Sequence, residues 1–296
     1  MLFLAMVGSF ALLEVILEMR KTAPGAVTPE VHRPLPNLDY SSPASVGRPK
    51  DIPPDDPLEL PGFSRMSATE KIDVILKLST NTHLSAKTSR FLTSQMQSTS
   101  NSALLRNVAA NTLVSQANRD PSLYRMFISM IEDPSESLAW REYAIQFLAL
   151  CLDSATDRQE AEQALWRAST SKEGVMGATA LLQLHRLNQQ GIVDLGPAFG
   201  QRLEDLVAQE SLAPESKVTI LGIAGERKLR SALPTIRPLV RDLSPSIRRA
   251  AVAFLGTMGD PLDLDLVNSA KEDSDPLVVK AAMAASQRLA AISSEP

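Results

Sequence analysis

A chain of 296 residues with a net charge of -4 and 44% hydrophobic content is long enough for one large domain or two small ones, with an ample core. Its mild acidity gives no global attraction to nucleic acid or anionic lipid. Cys151, the only cysteine, excludes an internal disulfide and a cysteine metal cluster, and inside AIQFLALCL it reads as a small buried hydrophobe.

Residues 1–22 form the first predicted element. MLFLAMVGSFALLEVIL is apolar except for Glu14, and Arg20 and Lys21 follow it with no basic residue before it. The expectation is a membrane anchor or uncleaved signal, the alternatives being a cleaved signal or a helix packed on the domain. Read by charge bias, the anchor keeps the following chain in the cytoplasm. A soluble cytoplasmic protein is the other localisation. Residues 23–62 hold 10 of the 20 prolines, a spacing that forbids regular ladders and favours an extended, semi-rigid tether. Its PLP and IPPDDP stretches serve either as a plain spacer or as a ligand for a proline-reading module.

Residues 63–296 are helical throughout by pattern. MSATEKIDVILKL opens with Ser67 and Glu70 in capping-box spacing and places Ile72, Ile75 and Leu76 on one face. Phe199, Leu203, Leu206 and Val207 repeat that spacing, and so do Ile236, Leu239, Val240 and Leu243. No such short helix is stable alone. Ser79 to Ser102 is dense in Ser, Thr and Asn, which suits an atypical terminal pair.

Self-comparison reveals a repeat. DLSPSIRRAAVAF superimposes on DSDPLVVKAAMAA at an offset of 31, matching Asp242 to Asp273, Pro245 to Pro276 and Ala251 to Ala282. AWREYAIQFLAL places Arg141 and Ala144 in the same frame, and LLRNVAANTL places Arg106 and Ala109 35 residues earlier. Ala178 marks a further unit, and PESKVTILGIAG supplies one near Lys217. Such recurrence predicts an all-α solenoid of about six antiparallel helix pairs, because each pair buries its second apolar side only against the next.

Residues 240–256, with Val240 in a leading Leu place followed by Asp242, Pro245, Ile247, Arg248, Ala250, Ala251, Leu255 and Gly256, resemble the HEAT-repeat motif. The resemblance implies first helices on a convex side and second helices lining a concave groove. It also implies a ladder in which a turn Asp and a second-helix Arg tie neighbouring units, for which Asp133 with Arg141 and Asp242 with Arg248 fit. The unit at 171–190 has VMGATALL and lacks the Arg, which suggests looser or bent stacking there.

Chemical candidates are few. His32, His83 and His185 are scattered, so no metal site is expected, and neither a cofactor nor a catalytic group is assigned. STSK at 169–172 reads as a helix cap rather than a nucleophile–lysine pair. Asp263 and Asp265 lie on different helix faces, so they read as caps and turn residues. Trp140 and Trp166 read as core. Arg227, Lys228, Arg230, Arg237, Arg241 and Arg249 cluster in sequence and form the candidate partner-binding set. The functional expectation is a non-enzymatic scaffold or adaptor that binds another protein, such as an acidic segment, and is tethered by residues 1–22. Nucleic-acid binding is the alternative, followed by the glycosylase or lyase activity that some HEAT-like proteins possess.

Overall fold

The computed structural model describes residues 62–293. The segments assigned to the anchor (1–22) and nearly all of the linker (23–62) lie outside the described residues. Among the described residues there are thirteen α-helices and no strand, and no helix is long and apolar enough to cross a membrane.

Helix α1 (Ala68–Leu78) starts with the capping box foreseen for Ser67 and Glu70. Six pairs follow: α2 (Ala86–Gln97) with α3 (Ala103–Val114), α4 (Leu123–Glu132) with α5 (Leu138–Cys151), and α6 (Arg158–Ala168) with α7 (Gly174–Gln189). The other three are α8 (Ala198–Val207) with α9 (Pro214–Glu226), α10 (Leu233–Ile236) with α11 (Pro245–Met258), and α12 (Leu264–Ser269) with α13 (Pro276–Ser293). Units 1 to 6 are numbered accordingly.

The second helices stack in one continuous layer, α3 on α5, α5 on α7, and so on to α13, while α1 covers the outer side of α3. That arrangement explains their composition. A second helix touches its own first helix and a second helix on each side, so it is apolar on three sides; α7 buries Met176 through Leu181 without a break. First helices such as α4 and α8 face solvent on one side and carry a single stripe, which in α8 is Phe199, Leu203, Leu206 and Val207.

Starts and stops follow local chemistry. Ser85, Ser102, Ser137 and Asp157 accept a bond from the N3 backbone N–H of α2, α3, α5 and α6. Pro214 and Pro245 open α9 and α11, where a missing N–H costs nothing. In the first helix of unit 5, Pro238 cannot donate inside the turn, and the chain tightens to a 3-10 helix over Arg237–Arg241. The apolar stripe expected to include Leu243 therefore ends early. Leu243 lies beyond the helix and is 98% exposed.

Candidate partner-binding surface

Each rung between units starts from an arginine early in a second helix. Arg106 Nε donates to the Met96 carbonyl of its own unit at 2.7 Å, and its Nη1 donates to Glu136 of the next unit at 2.8 Å. Arg141 repeats this with the Ile131 carbonyl and Glu173, both at 2.9 Å. Arg248 donates to the Asp242 carbonyl at 3.0 Å and grips both oxygens of Asp273 at 2.7 Å. The turn aspartates act differently from the ladder role given to Asp133 and Asp242. Their carboxylates accept the N–H of Ser135 and Ser244, each at 2.8 Å, and close the turn locally. Asp273 does both jobs, accepting the Asp275 N–H at 2.8 Å as well. The Arg248 guanidinium, followed by that N–H, holds the Asp273 carboxyl below its ordinary range, and Ser171 followed by Arg141 does the same for Glu173.

The ladder stops in the middle. Val175 takes the arginine place in unit 3. In unit 4 that place belongs to Lys217, which is 6% exposed and has no ion pair among the described residues. Units 3 and 4 are joined instead at the far ends of their second helices. There His185 Nε2 meets Glu226 at 2.8 Å, Gln189 Nε2 donates to Glu226 at 3.0 Å, and Arg227 Nη1 donates to Asn188 at 2.6 Å. Because Nε2 must donate to the carboxylate, Nδ1 of His185 is left buried with no hydrogen-bond partner.

The basic residues contiguous in sequence do not make one patch. The segment from Arg230 to Arg241 runs the length of a first helix, roughly 18 Å, so its ends lie on opposite edges of the stack. Arg227, Lys228 and Arg230 sit on the edge between units 4 and 5, and Arg241, Arg248 and Arg249 sit near the turn inside unit 5. Three of the cations are already committed to unit 6 or its turn. Arg230 pairs with Asp260, Arg237 donates to Asp263 at 2.6 Å and to Asp260 at 3.2 Å, and Arg248 holds Asp273. Asp263 is buried. Burial raises its carboxyl, but Arg237 and the Asp260 N–H outweigh that and bring it below the ordinary range. Arg227, Lys228, Arg241 and Arg249 have no carboxylate partner among the described residues.

Beside Arg227 lies a half-open cavity of ≈ 210 Å³ whose walls include Leu195, Phe199, Leu203 and Leu229. The Arg227 guanidinium stands 5.6 Å from the Phe199 ring centroid, and His185 stacks on the same ring at 6.4 Å. Lys228 has φ 54. It occupies the left-handed residue that closes α9, where the Leu229 N–H returns to the Ala224 carbonyl at 2.9 Å. At the matching end of α7 that residue is Gly191, with φ 70.

The other candidates fall into place as structure. Trp140 is fully buried with the Arg106 guanidinium 4.2 Å from its ring, and Trp166 packs edge-on against Phe199 at 6.2 Å. Burial pushes the Cys151 thiol up to about 12, too high for a nucleophile at neutral pH. Ser169 donates to the Trp166 carbonyl at 2.7 Å, away from any lysine partnership. His83 is exposed, with its Nδ1 3.1 Å from the Thr82 hydroxyl. Among the described residues no group of three or more His, Cys, Asp or Glu could hold a metal ion. His32 lies outside them. The rung acids Glu136, Glu173 and Asp273 escaped the sequence reading, although each falls 25 to 32 residues after its arginine.

Helix pairs stacked second helix on second helix, with an arginine rung from unit to unit, define an α-solenoid. Residues 197–287 match the family described as HEAT repeats, and that stretch of the chain is built of such repeats. No curated protein matches it. Among solved structures it is similar to human deoxyhypusine hydroxylase in complex with glycerol, at 16% identity over 77% of this chain and 99% of that one, with a TM-score of 0.30. The expectation of a non-enzymatic protein is corrected by this finding, because the matched structure is that of an enzyme. At this level of likeness no reaction, substrate or site passes from that protein to this one.

Proposed function

We propose that the chain is a scaffold whose units 4 and 5 hold an acidic segment of another protein, with residues 1–22 tethering it at a membrane. The observation that carries the first part is the division within the basic set. Arg230, Arg237 and Arg248 are neutralised by unit 6, whereas Arg227, Lys228, Arg241 and Arg249 are left to solvent without a carboxylate. A cation with no carboxylate of its own is available to an outside anion.

The test follows from that division. Arg227→Glu with Lys228→Glu, and separately Arg241→Glu with Arg249→Glu, should reduce crosslinking of the partner to the full chain in cells, with the melting temperature nearly unchanged for the second pair and lowered for the first by loss of the Arg227–Asn188 bond. Arg237 is unsuitable for such a test because its reversal breaks the bond to Asp263. Capture unchanged by both pairs of reversals would remove the cations from the account. A version beginning at Pro61 that still captures its partner at a membrane would remove the tether.

A further inference from the structure

The cavity beside Arg227 has three features that bear on what could bind there. Its walls are apolar side chains that the fold already buries, since Leu195, Phe199 and Leu203 are 7%, 2% and 1% exposed. Its lining holds one cation, Arg227, and no carboxylate, and Lys228 follows Arg227 in the chain. Finally, Lys228 is kept at a backbone conformation that favours glycine. Lys228 could be replaced there by the residue that closes α7, and the backbone would be less strained. A strained lysine beside an open apolar hollow has its side chain as the reason for being there.

Size decides what enters. Pockets for cofactors and drug-sized ligands run from about 300 to 1,000 Å³. At ≈ 210 Å³ this one is smaller and takes a single large side chain. We infer that it is an anchor pocket for one aromatic or large aliphatic residue of an acidic peptide segment, whose flanking carboxylates meet Arg227 and Lys228. The inference rests on the reading that units 4 and 5 hold an acidic segment, and it names the feature of that segment which sets affinity. Arg227 is well placed for both parts: its guanidinium flanks Phe199, Nη1 is fixed by Asn188, and its other N–H groups are left to pair a carboxylate.

Gly196 gives a way to close the pocket without disturbing the core. It lines the cavity, has no positive φ, and an added Cβ there meets nothing within 4 Å. Two fluorescein-labelled peptides serve as probes against the full chain, both rich in glutamate, one with a central phenylalanine and the other with alanine in that place. Fluorescence anisotropy should show the phenylalanine peptide binding roughly tenfold or more tightly, the scale set by burying one such side chain. Gly196→Trp should abolish that preference while leaving the alanine peptide's affinity unchanged, and Arg227→Glu with Lys228→Glu should weaken both peptides. Equal binding of the two peptides, still lost on charge reversal, would overturn the anchor pocket and leave the acidic-segment reading standing. No binding of either peptide, or binding indifferent to the reversal, would overturn both.

Discussion

The first two units and the last two units solve the same stacking problem with different materials. In units 1 and 2 the rung arginine is sunk into aromatic packing. Arg106 is 6% exposed and lies over Trp140, which neighbours Phe147, itself stacked on Phe127 at 5.3 Å. In units 5 and 6 the helices approach so closely that side chains nearly vanish, and a Cβ on Gly256 would lie 2.6 Å from that of Ala285. There the rung Arg248–Asp273, its side chains 14% and 11% exposed, is a clasp on a seam already closed. One end is held by bulk and buried charge, the other by backbone proximity. Between them, units 3 and 4 have neither a rung nor a matching close crossing.

The sharpest way to break that contrast is to remove each rung in turn. Arg106→Ala leaves Glu136, 9% exposed, without its cation and the Met96 carbonyl without its donor. A buried charge stripped of its partner costs about 3–5 kcal/mol, and urea unfolding should report a loss of that size. Arg248→Ala should cost less, about 2 kcal/mol, because its seam is closed by apolar contact and Asp273 keeps the Asp275 N–H as a partner. Equal losses at the two rungs would mean that the aromatic setting of Arg106 contributes nothing.

The close crossing is tested at Gly256. Adding a methyl group places it against Ala285 Cβ and, at 2.7 Å, Ala285 Cα, which is backbone and cannot step aside. Gly256→Ala should therefore destabilise by about 1–3 kcal/mol despite the better helix propensity of alanine. Gly222 in α9 is the control, since nothing lies within 4 Å of an added Cβ. Gly222→Ala should stabilise by roughly 0.5–1 kcal/mol. A gain at both positions, read as melting temperature, would show that α11 and α13 separate freely.

These materials also explain what the sequence disclosed. Where helices must almost touch, only Ala and Gly fit, so units 5 and 6 show a fixed pattern of Pro245, Ala251 and Gly256 that reads directly as a repeat. Where bulk fills the gap, many side chains serve, and units 1 to 3 keep the geometry with a weak signature. The fold was legible because burial periodicity and capping are local. The rungs were half legible: the arginines recur in phase, but their carboxylates come from the next turn at varying spacing, so Asp133 and Asp242 were given a role that Glu173 and Asp273 perform. Leu243 was placed on a buried stripe because helical period was extended across Pro238. The basic set looked like a patch because sequence density does not reveal that a helix carries its two ends to opposite edges. The cavity left no mark in sequence at all, since Leu195, Phe199, Arg227 and Leu229 come from two loops and a helix start.

A smaller effect is expected with pH. Asp273 has its carboxyl held below the ordinary value by Arg248, so its contribution to stability is full above about pH 4 and fades as pH falls through the lowered folded value. Asp273→Asn should therefore be less stable than the parent chain at neutral pH by roughly 1–2 kcal/mol. The difference should close progressively below pH 4. A gap that stays constant down to pH 2 would show that the amide disrupts packing and that charge is not what the rung supplies.

The smallest expected change would mend the ladder where it is broken. Lys217 precedes Asp242 by 25 residues, the same spacing as Arg248 and Asp273, and each cation lies three residues after the proline that opens its helix. Asp242 presents its carboxylate as Asp273 does, closing the local turn with one oxygen. What differs is the cation, because an ammonium lacks the fork that reaches a backbone carbonyl and a carboxylate together. Lys217→Arg should supply that fork, stabilise the chain by about 0.5–1 kcal/mol and raise the melting temperature by roughly 1–4 °C. The gain should disappear when Asp242→Asn is added, and this double-mutant cycle separates a new rung from a general benefit of arginine. If Lys217→Arg leaves stability unchanged, or helps equally without Asp242, units 4 and 5 are spaced differently from units 5 and 6, and the open rung reflects that spacing rather than the choice of side chain.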